Sequence, residues 1–219
     1  MRSHLGLGDG LVMNGLVRRL AESKNVTFLC KPHNAPSLAF MWRDDPNINL
    51  IDVVDDVEAD AIVHHIKEQN KEVLGLGMFG AKPFDATRWD REMYRQANIP
   101  FQERWNNFRV HRQPSTEIKA PKKSFIFVHE DESRGFVIDP ARLPKGIQVV
   151  RPDPKKAENV FQWWECIEKA REIHCIDSSF AILCDSLPDL HAEAMTVHLY
   201  ARKGALPPSY TKPLWNILK

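Results

Sequence analysis

The sequence predicts an α/β protein built from two parallel-sheet halves. Three patterns carry that expectation. Short apolar runs alternate with segments of helical periodicity through both halves of the 219 residues. A polar stretch at 113–123, with two prolines and little apolar content, interrupts the alternation near the middle. Two strand-to-helix junctions, one rich in glycine and one in serine, look suited to ligand-binding turns.

The elements follow in order. Residues 2–7 read as a short strand that runs into a glycine-rich turn. The next helix sets Val12, Met13, Leu16, Val17 and Leu20 on one face. Residues 25–30 (NVTFLC) form a strand, 35–43 a helix, 48–54 a strand, 59–69 an amphipathic helix and 72–77 another strand. A charged helix at 87–97 and an aromatic, basic stretch at 99–112 (IPFQERWNNFRVHR) close the first half. The second half repeats the alternation. Strands are expected at 124–129, 146–150, 172–176 and 195–200. A helix at 157–171 carries Val160, Trp164, Ile167 and Arg171 on one stripe, with Trp163 beside it, and a helix at 178–187 follows its strand directly. A proline-rich tail ends in the apolar residues 214–218. The expected organisation is a Rossmann-like half at 1–112, a linker at 113–123 and a second Rossmann-like half at 124–219, with a ligand cleft between the halves.

Composition sets the outer bounds. Thirty basic and 29 acidic side chains leave a net charge of +1, so no overall field draws the chain to DNA or an anionic membrane. No apolar run reaches the roughly 20 residues of a membrane helix, and the start lacks the apolar core of a signal peptide. Cys30, Cys166, Cys175 and Cys184 form no C-x-x-C pair. They read as buried, reduced thiols of a cytoplasmic protein, and no metal site is expected.

Three segments carry the candidate chemistry. In His4-Leu5-Gly6-Leu7-Gly8-Asp9-Gly10, glycines at alternate positions allow close backbone approach to a ligand, and the helix start offers free amides. Asp9 either caps that helix or faces a substrate. In Phe127-Val128-His129-Glu130-Asp131-Glu132-Ser133-Arg134-Gly135-Phe136, His129 and Arg134 follow a strand end and suit phosphate. The alternative is a solvated acidic loop in which Arg134 pairs with its neighbours. In Ile173-His174-Cys175-Ile176-Asp177-Ser178-Ser179-Phe180, a strand ends in Asp177, Ser178 and Ser179 as a helix begins. Their hydroxyls and amides form an anion site, or Asp177 or Ser178 merely caps the helix. Arg104, beside Trp105, either clamps a substrate or glues the fold. The Trp163–Trp164 pair reads as core, and His64 and His65 as ordinary helix residues.

These segments, taken in order, resemble the GT-B fold glycosyltransferases, especially the heptosyltransferase-like group (family 9) and small bacterial and phage relatives. H-L-G-L-G-D-G resembles their amino-terminal opening, F-V-H-E-D-E-S-R-G-F the first strand and loop of their donor-binding half, and I-H-C-I-D-S-S-F their donor-diphosphate loop. The resemblance implies a trimmed GT-B arrangement in which the first half takes an acceptor and the second a nucleotide-sugar. It implies Asp9 as the general base, and Gly8, Gly10, His129, Arg134, Asp177, Ser178 and Ser179 as donor or phosphate contacts, without a bound metal. No cofactor is implied, since the nucleotide-sugar is a co-substrate. The acceptor is left open among a saccharide, a lipid-linked sugar, a protein and a modified nucleic-acid base. The competing readings are a non-catalytic nucleotide-sugar-binding protein and a GT-B-like epimerase or hydrolase of nucleotide-sugars.

Overall fold

The computed structural model describes residues 1–219. The chain divides into two compact units, Met1–His111 and Arg112–Lys219. No helix is long and apolar enough to cross a membrane.

The first unit is built on β1 (Val26–Cys30) and β2 (Ile48–Asp52), paired in parallel from Val26↔Ile48 to Cys30↔Asp52. The segment expected as an opening strand is not one. Residues 2–7 and 72–77 meet only in a single parallel bridge, Arg2↔Gly75. The pairing stops because the chain folds back there: a Cβ at Gly75 would lie 2.1 Å from the carbonyl oxygen of Phe79, and Gly77 has a φ of +66°. The buried Arg2 completes the junction. It pairs with Asp56 and Asp60, each at 2.7 Å, and its guanidinium stacks 3.7 Å from the Phe79 ring centroid.

The long first helix divides at Met13 into α1 (Leu7–Val12) and α2 (Asn14–Ala21). Leu11, Val12, Met13, Leu16 and Val17 are fully buried, so the apolar face survives the break. Gly15 lets α2 approach α6 (Glu103–Asn106): a Cβ there would lie 1.8 Å from the Glu103 carbonyl oxygen. Between them run α3 (Ala35–Trp42), α4 (Asp56–Glu68) and α5 (Trp89–Gln96). The start of α4 is well specified, because the Asp55 carboxylate accepts from the Glu58 amide at 2.9 Å.

The second unit is a five-stranded, all-parallel sheet with helices, of the Rossmann-like α/β class. Its strands are β3 (Phe125–His129), β4 (Gln148–Val150), β5 (Glu172–Cys175), β6 (Ala194–His198) and β7 (Trp215–Leu218), in the spatial order β4-β3-β5-β6-β7. The three central strands, β3, β5 and β6, are buried on both faces, whereas the edge strands β4 and β7 stay partly exposed. The expected helix at 157–171 is shorter and begins with a 3-10 turn, Val160–Trp163, before α7 (Trp164–Lys169). Helix α8 (Ser179–Ser186) links β5 to β6. The apolar end of the proline-rich tail, to which the sequence assigns no element, supplies β7, in register with β6 from Met195↔Trp215 to His198↔Leu218.

The stretch expected as a linker, 113–123, is tied to the second unit instead. Arg112 forks onto Glu117 (2.7 Å) and onto Glu168 of α7 (2.8 Å). The Ile118 amide donates to the Gln162 carbonyl at 2.8 Å, and Lys119 reaches Glu165 at 3.1 Å. Its polar composition is spent on ion pairs, which is why it read as a free connection.

Candidate functional site

The strand order decides where a ligand can sit. From β3 the chain crosses to β4 on one side, then returns past β3 to β5 on the other. The connections leaving β3 and β5 therefore diverge at the carboxyl ends of those two strands, the usual binding position of an open α/β sheet. The register pairs His129 with Cys175 at that edge. His129 thus ends β3 beside the loop Ile176-Asp177-Ser178 that leaves β5.

The two predicted segments meet there. The Ser178 hydroxyl lies 3.0 Å from Nδ1 of His129, and the His129 ring packs 4.4 Å from that of Phe180. Ser178 occupies the cap position of α8 in extended backbone, yet its side chain makes no capping bond. The first intrahelical bond runs from the Ile182 amide to the Ser178 carbonyl. The amides of Ser179, Phe180 and Ala181 precede it and have no intrahelical partner, so they carry the helix's partial positive charge.

Burial depresses the pKa of His129 to about 4, against the opposing pull of Asp131 and Glu130. The imidazole is neutral at pH 7, so it positions Ser178 and contributes no cation to a phosphate. A serine with an imidazole at this distance also has the geometry of a nucleophile and its base. His129 Nε2, however, makes no hydrogen bond to a carboxylate that would orient it, and so low a pKa makes a weak base. The pair is better suited to holding a ligand than to attacking one.

Asp177 is buried. Burial raises its carboxyl pKa, while Arg202 and the Tyr210 hydroxyl oppose the rise. Tyr210 donates to it at 3.4 Å. Arg134 behaves as the solvated-loop alternative foresaw: it is 61% exposed and its Nε donates to Asp131 of the same loop at 2.5 Å. Its guanidinium also lies 5.2 Å from the Phe136 ring centroid.

The remaining predicted residues lie in the first unit. Asp9 stands in the first turn of α1, whose cap is Gly6. Asp9 is therefore not the cap itself. Its carboxylate folds back towards Gly6, where a Cβ would come within 2.6 Å of Oδ2. Gly8 and Gly10 are inside α1 and have no positive φ. Gly10 is needed for space, since a Cβ there would meet Leu38 at 2.5 Å. Arg104 is buried against Asp90 at 2.8 Å and braces α5 to α6 instead of facing a substrate. The four cysteines are free and buried.

No family model, curated protein or solved structure matches the chain.

The sequence reading missed three parts of the second unit. Arg202, Tyr210 and the buried Asp185 all belong to the packing of residues 199–215 over the sheet edge. Only the alternation of Trp215 to Leu218 could have signalled that this tail returns as a strand.

Proposed function

We propose that the chain is a glycosyltransferase whose second unit binds the diphosphate of a nucleotide-sugar at the carboxyl ends of β3 and β5. The observation that carries the proposal is the meeting of His129 and Ser178 at the strand-order reversal, beside the unbonded amides that open α8. A diphosphate oxygen placed there accepts from those amides and from the Ser178 hydroxyl. In the reaction, an acceptor hydroxyl attacks the anomeric carbon as the bond to the diphosphate oxygen breaks. The nucleoside diphosphate leaves with its charge met by amides and guanidinium groups. The base that takes the acceptor proton is Asp9, the role that the sequence resemblance implies for it. A non-catalytic nucleotide-sugar-binding protein uses the same donor site without this last step.

The direct test is a panel of nucleoside-diphosphate sugars, assayed for nucleoside diphosphate release with and without saccharide acceptors. Release that depends on acceptor supports transfer. Equal release without acceptor makes the protein a hydrolase, and binding without release makes it a binding protein. Failure of every member to bind removes the donor site.

A further inference from the structure

We infer that Arg202, on the connection between β6 and β7, is the cation that grips the diphosphate; this rests on the donor-site proposal above. One side of the guanidinium is fixed. Nη1 donates to the backbone carbonyl of Asp177 at 2.6 Å. The Asp177 carboxylate stands 3.8 Å away, beyond hydrogen-bond reach. Because the anchor is the backbone of the residue before Ser178, Arg202 is tied to the loop that opens α8.

The chain beyond Arg202 is fastened as well. The buried Asp185 of α8 accepts from the amides of Thr211 (2.9 Å) and Lys212 (3.2 Å) and from the Trp215 indole (2.9 Å). Tyr210 packs on Trp215 with ring centroids 5.0 Å apart. The connection is therefore a fixed strap across the sheet edge, and Arg202 is preorganised on it.

The other side of the guanidinium is open. The Arg202 side chain is 37% exposed, and Nε and Nη2 make no hydrogen bond within the chain. Those atoms form the planar fork that matches two phosphate oxygens. Arg134 is the weaker candidate, because its Nε is spent on Asp131. Both guanidiniums lie near Phe136, at 5.2 Å and 5.9 Å from its centroid, so Arg134 is near enough to add a second, exposed charge. The ligand class is a diphosphate, free or carried on a nucleoside.

The test is calorimetric titration of the full chain with inorganic pyrophosphate, ADP and inorganic phosphate. Arg202→Ala is expected to weaken pyrophosphate about 10- to 100-fold, the range for lost charge-assisted hydrogen bonds. Arg134→Ala is expected to weaken it less than about 3-fold, as an exposed charge should. Pyrophosphate binding by Arg202→Ala within 3-fold of wild type overturns the inference and leaves the donor site standing. Wild type that binds neither pyrophosphate nor ADP overturns both. Inorganic phosphate bound as tightly as pyrophosphate overturns the diphosphate class. A second measurement needs no variant: phenylglyoxal labelling of wild type, read residue by residue by mass spectrometry. Pyrophosphate is expected to slow labelling of Arg202 and to leave Arg19 unchanged, and unchanged labelling of Arg202 overturns the inference.

Discussion

Acidification should expose a buried polar relay in the second unit. Glu172 lies 3.3 Å from His174 Nε2, His174 Nδ1 lies 3.1 Å from His198 Nε2, and His198 Nδ1 lies 3.1 Å from the Tyr200 hydroxyl. The Asp139 amide donates to that hydroxyl at 3.1 Å. His198 is fully buried, and burial, aided by His174 and Arg142 and opposed by Glu130, lowers its pKa from 6.5 to about 4. The unfolded chain binds a proton at His198 below about 6.5, and the folded chain does not until about 4. Stability is therefore complete above the unfolded pKa and is lost as pH falls through this window. At about 1.4 kcal/mol per pH unit, the loss amounts to about 3 kcal/mol. The assay is urea denaturation of wild type and His198→Gln at steps from pH 7.5 to 4. Subtracting the two curves removes the carboxylates that both share. Wild type is expected to lose about 3 kcal/mol more than the variant across the window. Parallel curves would refute the reasoning, because His198 would then carry the same proton in both states.

Other outcomes follow from the same geometry. Asp9→Asn keeps the side chain's size, so it should fold normally and lower turnover about 10²–10⁴-fold with donor affinity intact; unchanged turnover per folded molecule would confine Asp9 to the start of α1. Arg104→Ala removes the guanidinium paired with the buried Asp90 carboxylate, so chemical denaturation should show a loss of about 3–5 kcal/mol, without the selective loss of acceptor affinity that a substrate clamp would show. Asp185→Ala frees the strap, and hydrogen exchange at Thr211 and Lys212 should accelerate while the amides of β3 keep their protection.

The sequence exposed four of the five strands of the second unit, β3 to β6, because each is a short run with apolar residues bounded by polar turns, as at Phe125–His129; β7 lay hidden in the proline-rich tail. It also singled out His129 and Ser178, since both stand at strand ends beside polar loops. It allowed for the pairing of Arg134 with Asp131, three residues away, but did not single out Arg202, whose anchor on the Asp177 carbonyl joins residues 25 apart in sequence. Residues 2–7 and 72–77 show the opposite error. Their composition suits strands, but the backbone turns back at Gly75 and Gly77 and leaves one bridge. The expected linker failed for a related reason: Arg112, Glu117 and Lys119 look solvated in one dimension and become ion-paired in three. The buried relay through His174 and His198 was illegible, because it needs the register of two strands distant in sequence.

The most direct test of the donor-site account is amide hydrogen exchange at the head of α8, measured on the full chain with and without saturating pyrophosphate. The amides of Ser179, Phe180 and Ala181 are the donors assigned to the diphosphate. The account predicts that ligand slows their exchange by at least about tenfold, as a new hydrogen bond to a charged acceptor should, while α1 exchanges unchanged. Bound pyrophosphate that leaves these three amides unprotected, or protects α1 instead, would contradict it.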